Sequence, residues 1–235
     1  MRPDQRPLDV LRPIAIERHF TRYAPGSVRI CFGDTQVLCT ASIKEDVPRF
    51  RRDTGEGWLT AEYRMLPSAT TRRQDRELLR VGGRTAEIQR LIGRSLRVAL
   101  DWQVLGERTI TIDADVLQAD GGTRTAAITG GYVALVDACR WLMAEGLVTT
   151  WPLRHQVAAV SVGIVEGSER VDLCAAEDNQ ASVDLNLVMT ATQELIEIQG
   201  TAEQDPFSIE QLQRMLAIAT PAPQQSHGAS KHRPS

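Results

Sequence analysis

Residues 108–125 read R-T-I-T-I-D-A-D-V-L-Q-A-D-G-G-T-R-T, and their reading decides the fold. From 108 to 117 apolar and polar residues alternate, the period-two signature of a strand with one buried face. Asp120-Gly121-Gly122 breaks that pattern with a tight turn. Thr123-Arg124-Thr125 then leads into a long helix, expected from about 125 to 145. The turn is also a candidate anion site. Glycines let backbone N–H groups approach an anion, and a helix start contributes about half a positive charge. Thr123 adds a hydroxyl and Arg124 a guanidinium fork. On spacing alone, a tight strand-to-helix junction with threonine as N-cap fits equally well. No G-K-[ST] follows and no G-x-G-x-x-G is present, so neither nucleotide-loop signature applies.

Upstream, the β-rich runs 27–32 and 35–43 meet at Gly33-Asp34, a hairpin signal. Residues 49–58 are polar and basic and read as a loop, 59–65 as a short strand, and 71–80 as a short helix or an ordered loop. After Gly82-Gly83 comes a helix over 85–100. Its apolar face is Ile88, Leu91, Ile92, Leu96 and Ala99, with Arg90, Arg94 and Arg97 on another face. Downstream, 157–165 and 170–174 form a second hairpin around Glu166-Gly167-Ser168. Strands over 183–189 and 195–199 and a closing helix over 206–219 complete the chain. The strand-hairpin, strand, helix order recurs and hints at a duplicated α+β fold. The expected division is a first half over 1–150, a second over 151–220, and a polar tail over 221–235 that is expected to be disordered.

A chain of 235 residues suits one compact unit or two fused halves sharing a core. No window approaches ~18 uninterrupted apolar residues, so no membrane span is expected. The opening M-R-P-D-Q-R-P-L-D has charge but no apolar run behind it, so no secretory signal is expected either. Cys31, Cys39, Cys139 and Cys174 are scattered without metal spacing. They read as small buried hydrophobes in a reducing cytosol, which gives a cytoplasmic expectation. The net charge of −3 hides an asymmetry: residues 49–97 carry 12 Arg against 6 Asp/Glu, residues 98–220 carry 6 against 18. Codon usage accounts for the preference for Arg over Lys but not for this clustering. A basic segment in an acidic chain points to a local polyanion site.

Two further constellations carry chemistry. Gly82-Gly83-Arg84 is a second glycine-rich helix entry, which would let two sites face one oxyanion from two sides. The stretch Glu177-Asp178-Asn179-Gln180-Ala181-Ser182-Val183-Asp184-Leu185-Asn186 places two carboxylates six apart. On a straight strand Asp178 and Asp184 would be ~20 Å apart, so they cooperate only if Asn179-Gln180 bends the chain back. Asp184 and Asn186 alternate with Val183, Leu185 and Leu187 and would project together. An Asp pair suits Mg²⁺, which takes one or two carboxylates plus waters and substrate oxygens; a solvated loop with a strand-edge Asp is the plain alternative. Two of the four histidines lie in the tail, leaving His19 and His155, so a histidine mechanism has little support.

Taken together these motifs resemble the RNase PH family over nearly the whole chain. The matching stretches are F-G-D-T-x-V-L-C-T-A-S at 32–42, G-W-L-T-A-E-Y at 57–63 and G-G-R-T-x-E-I-Q-R-L-I-G-R-S-L-R at 82–97. They continue with D-V-L-Q-A-D-G-G-T-R-T-A at 115–126, V-A-A-V-S-V-G-I-V at 157–165 and Q-G-T-A-E at 199–203. The resemblance implies a duplicated α+β fold like part of ribosomal protein S5 (its second domain), with mixed sheets packed against helices. It implies a phosphorolytic 3′-5′ exoribonuclease and reversible nucleotidyltransferase that acts on tRNA precursors, with rRNA as a further substrate. By the same resemblance Arg84, Gly122, Thr123 and Arg124 bind the attacking inorganic phosphate, and Arg72, Arg73 and Arg76 grip RNA. Asp178 and Asp184 hold Mg²⁺ or Mn²⁺, with Asp184 the general acid. The expected assembly is a hexameric ring, a trimer of dimers.

The chain departs from the usual family pattern at four places. Ser68 stands where an RNA-contacting Arg is usual, L-L-R-V precedes Gly82 in place of a longer Lys/Gln-containing stretch, Ser182 replaces an acidic residue, and Pro221 and Pro223 cut the last helix short. Two rival readings are a non-catalytic ring subunit that only binds RNA and a hydrolytic metal-dependent 3′ nuclease.

Overall fold

The computed structural model describes residues 2–76, 81–203 and 205–220. The tail over 221–235, Leu78-Leu79-Arg80 and the end of the 71–80 expectation lie outside the described residues.

The first sheet holds β1 (Ile14–Arg18), β2 (Gly26–Phe32), β3 (Thr35–Lys44), β4 (Trp58–Met65) and β5 (Thr109–Gln118), in the order β1-β2-β3-β5-β4. All neighbours are antiparallel except β4 and β5, which run parallel. A parallel pair needs a crossover, and α1 (Gly83–Arg97) with the single turn α2 (Trp102–Leu105) supplies it. The alternation that marked 108–117 is realised: Ile110, Ile112, Ala114 and Val116 are buried, while Thr111, Asp113 and Asp115 face the other way.

The long helix α3 (Thr123–Ala144) is buried around most of its circumference because it is covered on two sides. It packs on β2, β3 and β5 of the first sheet and on β6 (Val157–Val165) of the second. Thr129 fastens the second contact, its Oγ1 accepting the Ala159 amide at 3.1 Å. The second sheet runs β7-β6-β8-β9, with β7 (Ser168–Val171), β8 (Val183–Thr190) and β9 (Leu195–Ala202). All nine residues of β6 are buried. Val157 and Ala159 join the α3 side; Val160, Val162 and Ile164 join a core closed by Met215 and Ala219 of α5 (Ile209–Ala219). A continuous apolar run is what a strand covered on both faces requires.

Several expectations change. The strand read over 170–174 stops at Val171, because Asp172 takes a φ of 55°. Cys174 instead starts the one-turn helix α4 (Ala175–Asp178). The 49–58 loop contains a 3-10 turn at Arg49–Arg51, and β1 and α2 are additions. The closing helix begins at Ile209 rather than 206, capped by Ser208, whose hydroxyl accepts the Gln211 amide at 3.2 Å. Cys39 and Cys139 are buried, but Cys31 and Cys174 only partly, and all four are free thiols. Among the described residues no helix is long and apolar enough to cross a membrane.

Candidate active site

The β5–α3 turn is built by two consecutive left-handed glycines, Gly121 at φ 73° and Gly122 at φ 66°. A Cβ on Gly121 would lie 2.4 Å from the Leu173 carbonyl oxygen, so this position excludes any side chain twice over. Thr35 braces the turn from β3: its hydroxyl donates to Gly121 O at 2.6 Å and accepts the Asp120 amide at 2.9 Å. Arg12 braces it from the N-terminal segment, donating to the carbonyls of Asp120 and Gly121 and pairing with buried Asp172 at 2.7 Å. The helix N-cap is Gly122, not threonine. The first intrahelical bond runs from the Ala126 amide to Gly122 O at 3.0 Å. The amides of Thr123, Arg124 and Thr125 therefore precede the helix ladder and lack intrahelical acceptors.

This turn forms one wall of a cavity of about 560 Å³. Arg84 enters from the first turn of α1 and Arg72 from the loop after β4; Thr123 and Arg124 come from α3. The opposite wall carries Asp178 at the end of α4 and Asp184 and Asn186 on β8. The two glycine-arginine entries, far apart in sequence, thus meet in one space. Another cavity, about 590 Å³, opens beside Tyr23 and Trp141. Its walls carry no basic side chain, so polyanion chemistry belongs to the first.

The cationic wall is held by side chains behind it. Glu87 on α1 accepts Arg124 Nη2 at 3.0 Å and Gln199 Nε2 at 2.8 Å, linking the two sheets' halves through one carboxylate. Burial pushes the Glu87 carboxyl up, but the Gln199 and Arg124 hydrogen bonds outweigh it and hold the group below its usual range. Arg124 Nε is buried without a protein acceptor, as a guanidinium awaiting an anion along that edge would be. Tyr63, on β4, donates its phenol hydrogen to Thr123 Oγ1 at 3.0 Å.

The acidic wall behaves differently. Asp184, half-buried, is pushed up to about 6, first by desolvation and then by the neighbouring Asp178 carboxylate, against the pull of Arg124. Asp178 is also raised, chiefly by desolvation. The bend that brings the two together is the turn of α4 and the residues that follow it, 179–182, in place of a straight strand. Strand register puts Asp184 opposite Thr201 and Asn186 opposite Gln199 and Ser161, so a row of polar side chains faces the cavity side of the second sheet. The two carboxylates offer oxygen donors alone. Among the described residues no group of three or more His, Cys, Asp or Glu converges, so the set suits a cation that completes its shell with water and substrate oxygens.

The three arginines expected to grip RNA separate. Arg72 lines the main cavity; Arg76 lines an adjoining one of about 260 Å³ that shares Met65, Gln74 and Arg84. Arg73 lines neither and pairs with Asp75 at 3.0 Å on the surface. Ser68 is exposed on the same loop. Sequence reasoning missed Tyr63, Glu87, Gln199, Thr35 and Arg12. The first four sit in elements read for their pattern alone, and Arg12 in the N-terminal segment before β1, where no element was expected.

The comparisons with known proteins fit this geometry. The model of the 3′ exoribonuclease family matches residues 10–140 as domain 1 and residues 155–222 as domain 2. The chain belongs to the 3′ exoribonuclease family. Among its relatives, Ribonuclease PH of Synechococcus sp. (strain JA-3-3Ab) is 66% identical over 221 residues, covering 93% of this chain and 91% of the relative. Ribonuclease PH of Acaryochloris marina (strain MBIC 11017) is 59% identical over 218 residues, with 93% and 91% covered. The family fold is shared with the Archaeoglobus fulgidus exosome solved with RNA bound to the active site: TM-score 0.84, 20% identity, 98% of this chain and 92% of that one. Rice Rrp46 superposes with a TM-score of 0.76 at 21% identity, covering 97% of both chains.

Proposed function

We propose that the chain is a phosphate-dependent 3′-5′ exoribonuclease that trims tRNA precursors and rRNA and adds nucleotides to RNA 3′ ends in reverse. The observation that carries this reading is the juxtaposition of two arginine-bearing helix starts with the Asp178 and Asp184 carboxyls in one cavity. Relatives at 66% and 59% identity over most of the chain are ribonucleases PH.

Phosphate and phosphodiester repel, so the site must neutralise both and align them. Arg84, Arg124, the Thr123 hydroxyl and the turn amides bind the incoming phosphate. One of its oxygens attacks the phosphorus of the last phosphodiester. The P–O3′ bond breaks as a phosphoanhydride forms, and the leaving O3′ takes a proton from the Asp184 carboxyl. The products are a nucleoside 5′-diphosphate and an RNA one residue shorter with a free 3′ hydroxyl. Asp178 and Asp184 would hold Mg²⁺ or Mn²⁺, which supplies charge neutralisation at the transferred phosphoryl group. Arg72 and Arg76 receive the RNA backbone, with Arg73 outside them. The working assembly is a hexameric ring, a trimer of dimers, in the cytoplasm.

One assay tests the reading: a 3′-extended tRNA precursor incubated with and without inorganic phosphate. Nucleoside diphosphates released only with phosphate are expected. Monophosphates in its absence would establish hydrolysis instead, and binding without products would establish a non-catalytic ring subunit. Light scattering checks the hexamer.

A further inference from the structure

We infer that Tyr63 is a positioning residue for the attacking phosphate: its phenol fixes the proton of the Thr123 hydroxyl so that it points at the anion. The inference rests on the phosphate-binding reading of the β5–α3 turn and adds to it a residue from the parallel strand next to β5.

The argument starts from hydrogen inventory. A threonine hydroxyl has one proton to give and lone pairs that accept; a tyrosine phenol likewise has one proton. Tyr63 is 3% exposed, and its Oη lies 3.0 Å from Thr123 Oγ1 as the donor. Once Thr123 has accepted that proton, its own cannot point back at Tyr63. Thr123 is itself buried, at 7% exposure, yet lines the cavity beside Arg84 and Arg124. An anion between those guanidiniums is therefore the acceptor available on the cavity side.

The placement of Tyr63 is rigid. It lies within β4, paired with Ala114 of β5, the strand that ends at the anion-binding turn. The donor thus sits on the strand beside the one that leads into the turn, and core packing around the phenol holds it in place. Burial also raises the phenol's pKa, against the Thr123 bond and the two arginines, so Tyr63 stays a proton donor across the working pH range. The general principle is preorganisation: a hydroxyl already aimed at the charge costs no reorientation when the ligand arrives. Without Tyr63 the Thr123 proton is free to turn to other acceptors, and each phosphate that binds must recapture it.

The test is a mutant cycle read on KM for inorganic phosphate, with KM for RNA and melting temperature measured beside it. Tyr63→Phe is expected to raise phosphate KM about fivefold while RNA KM stays within about twofold. Thr123→Val should raise it at least as far, and Tyr63→Phe added to Thr123→Val should change nothing more. Thr123→Ser keeps the hydroxyl and should restore both near-normal phosphate KM and its sensitivity to Tyr63→Phe. An unchanged phosphate KM in Tyr63→Phe overturns the inference. So does an effect that persists in the Thr123→Val background, or equal changes in both KM values, which mark a packing role. Should Tyr63→Phe fail to fold, Thr123→Val alone still decides, since an unchanged phosphate KM there removes the hydroxyl from the site. A wild-type enzyme that works without phosphate sinks the underlying function; one that needs phosphate but ignores Tyr63→Phe sinks only this inference.

Discussion

Asp120 Oδ1 accepts the amide of Ala175 at 3.1 Å, so a side chain of the β5–α3 turn secures the start of the short helix that carries Asp178. Arg12 lies over the same junction, touching both Asp120 and Asp172. The cationic and acidic walls are therefore one braced unit, even though they come from opposite halves of the chain. Losses at the braces should move both walls together; losses at the tips should separate phosphate from RNA.

Arg124→Ala tests a tip. It removes a charge-assisted fork from the phosphate wall and should lower phosphate-dependent turnover about a hundredfold or more. RNA affinity, measured by filter binding without phosphate, should stay within about threefold. Equal losses in both would place Arg124 on the RNA instead.

Asp184 has a pH signature of defined sign. Its carboxyl titrates near 6 in the fold, above the ordinary ~3.9. The native state therefore holds that proton more tightly than the unfolded chain does. Stability from this group is greatest below pH ~4 and declines as pH rises through about 6, by roughly 2–3 kcal/mol in all. Asp184→Asn should abolish turnover yet raise the melting temperature at pH 7 in EDTA, with little gain at pH 4. A melting temperature that falls at pH 7 would contradict the raised titration.

The loop arginines are separable by salt. Each single-strand phosphate contact contributes about 0.7 to the slope of log K against log salt. Arg76→Ala should flatten that slope by about this much. Arg73→Ala should flatten it less, because Asp75 already neutralises Arg73 at 3.0 Å. An equal effect of the two would show that Arg73 leaves Asp75 for the RNA.

Gly121→Ala should be disproportionately damaging. It places a side chain at φ 73° and 2.4 Å from a backbone oxygen, and the strain alone is of order 1–3 kcal/mol. Urea unfolding should show at least about 2 kcal/mol of destabilisation, and phosphate dependence should weaken in whatever remains folded. An unaltered midpoint would mean the turn rearranges freely.

What was legible in the sequence follows from range. Strand β5, its glycine turn and α3 were readable because alternation, a breaker and a helical run each act over a few residues. The helix start, expected near 125, lies at Thr123, and the threonine cap that spacing also allowed is excluded: two glycines in left-handed geometry leave Thr123 inside the helix, where it lines the cavity. The short helix α4 was invisible, since one turn of four residues has no periodicity. The approach of Asp178 to Asp184 depended on it. Tyr63, Glu87 and Arg12 were hidden for a different reason: their partners lie 60, 37 and 160 residues away, and no local pattern encodes such a meeting.

The buried Arg12–Asp172 pair joins residues 160 apart. A ribosome delivers Arg12 early and its counterion late. Until Asp172 emerges, closing the N-terminal segment over the turn would bury a guanidinium without its carboxylate, at a cost of several kcal/mol. Closure of the N-terminal segment over the turn is thereby coupled to the arrival of the second half of the chain.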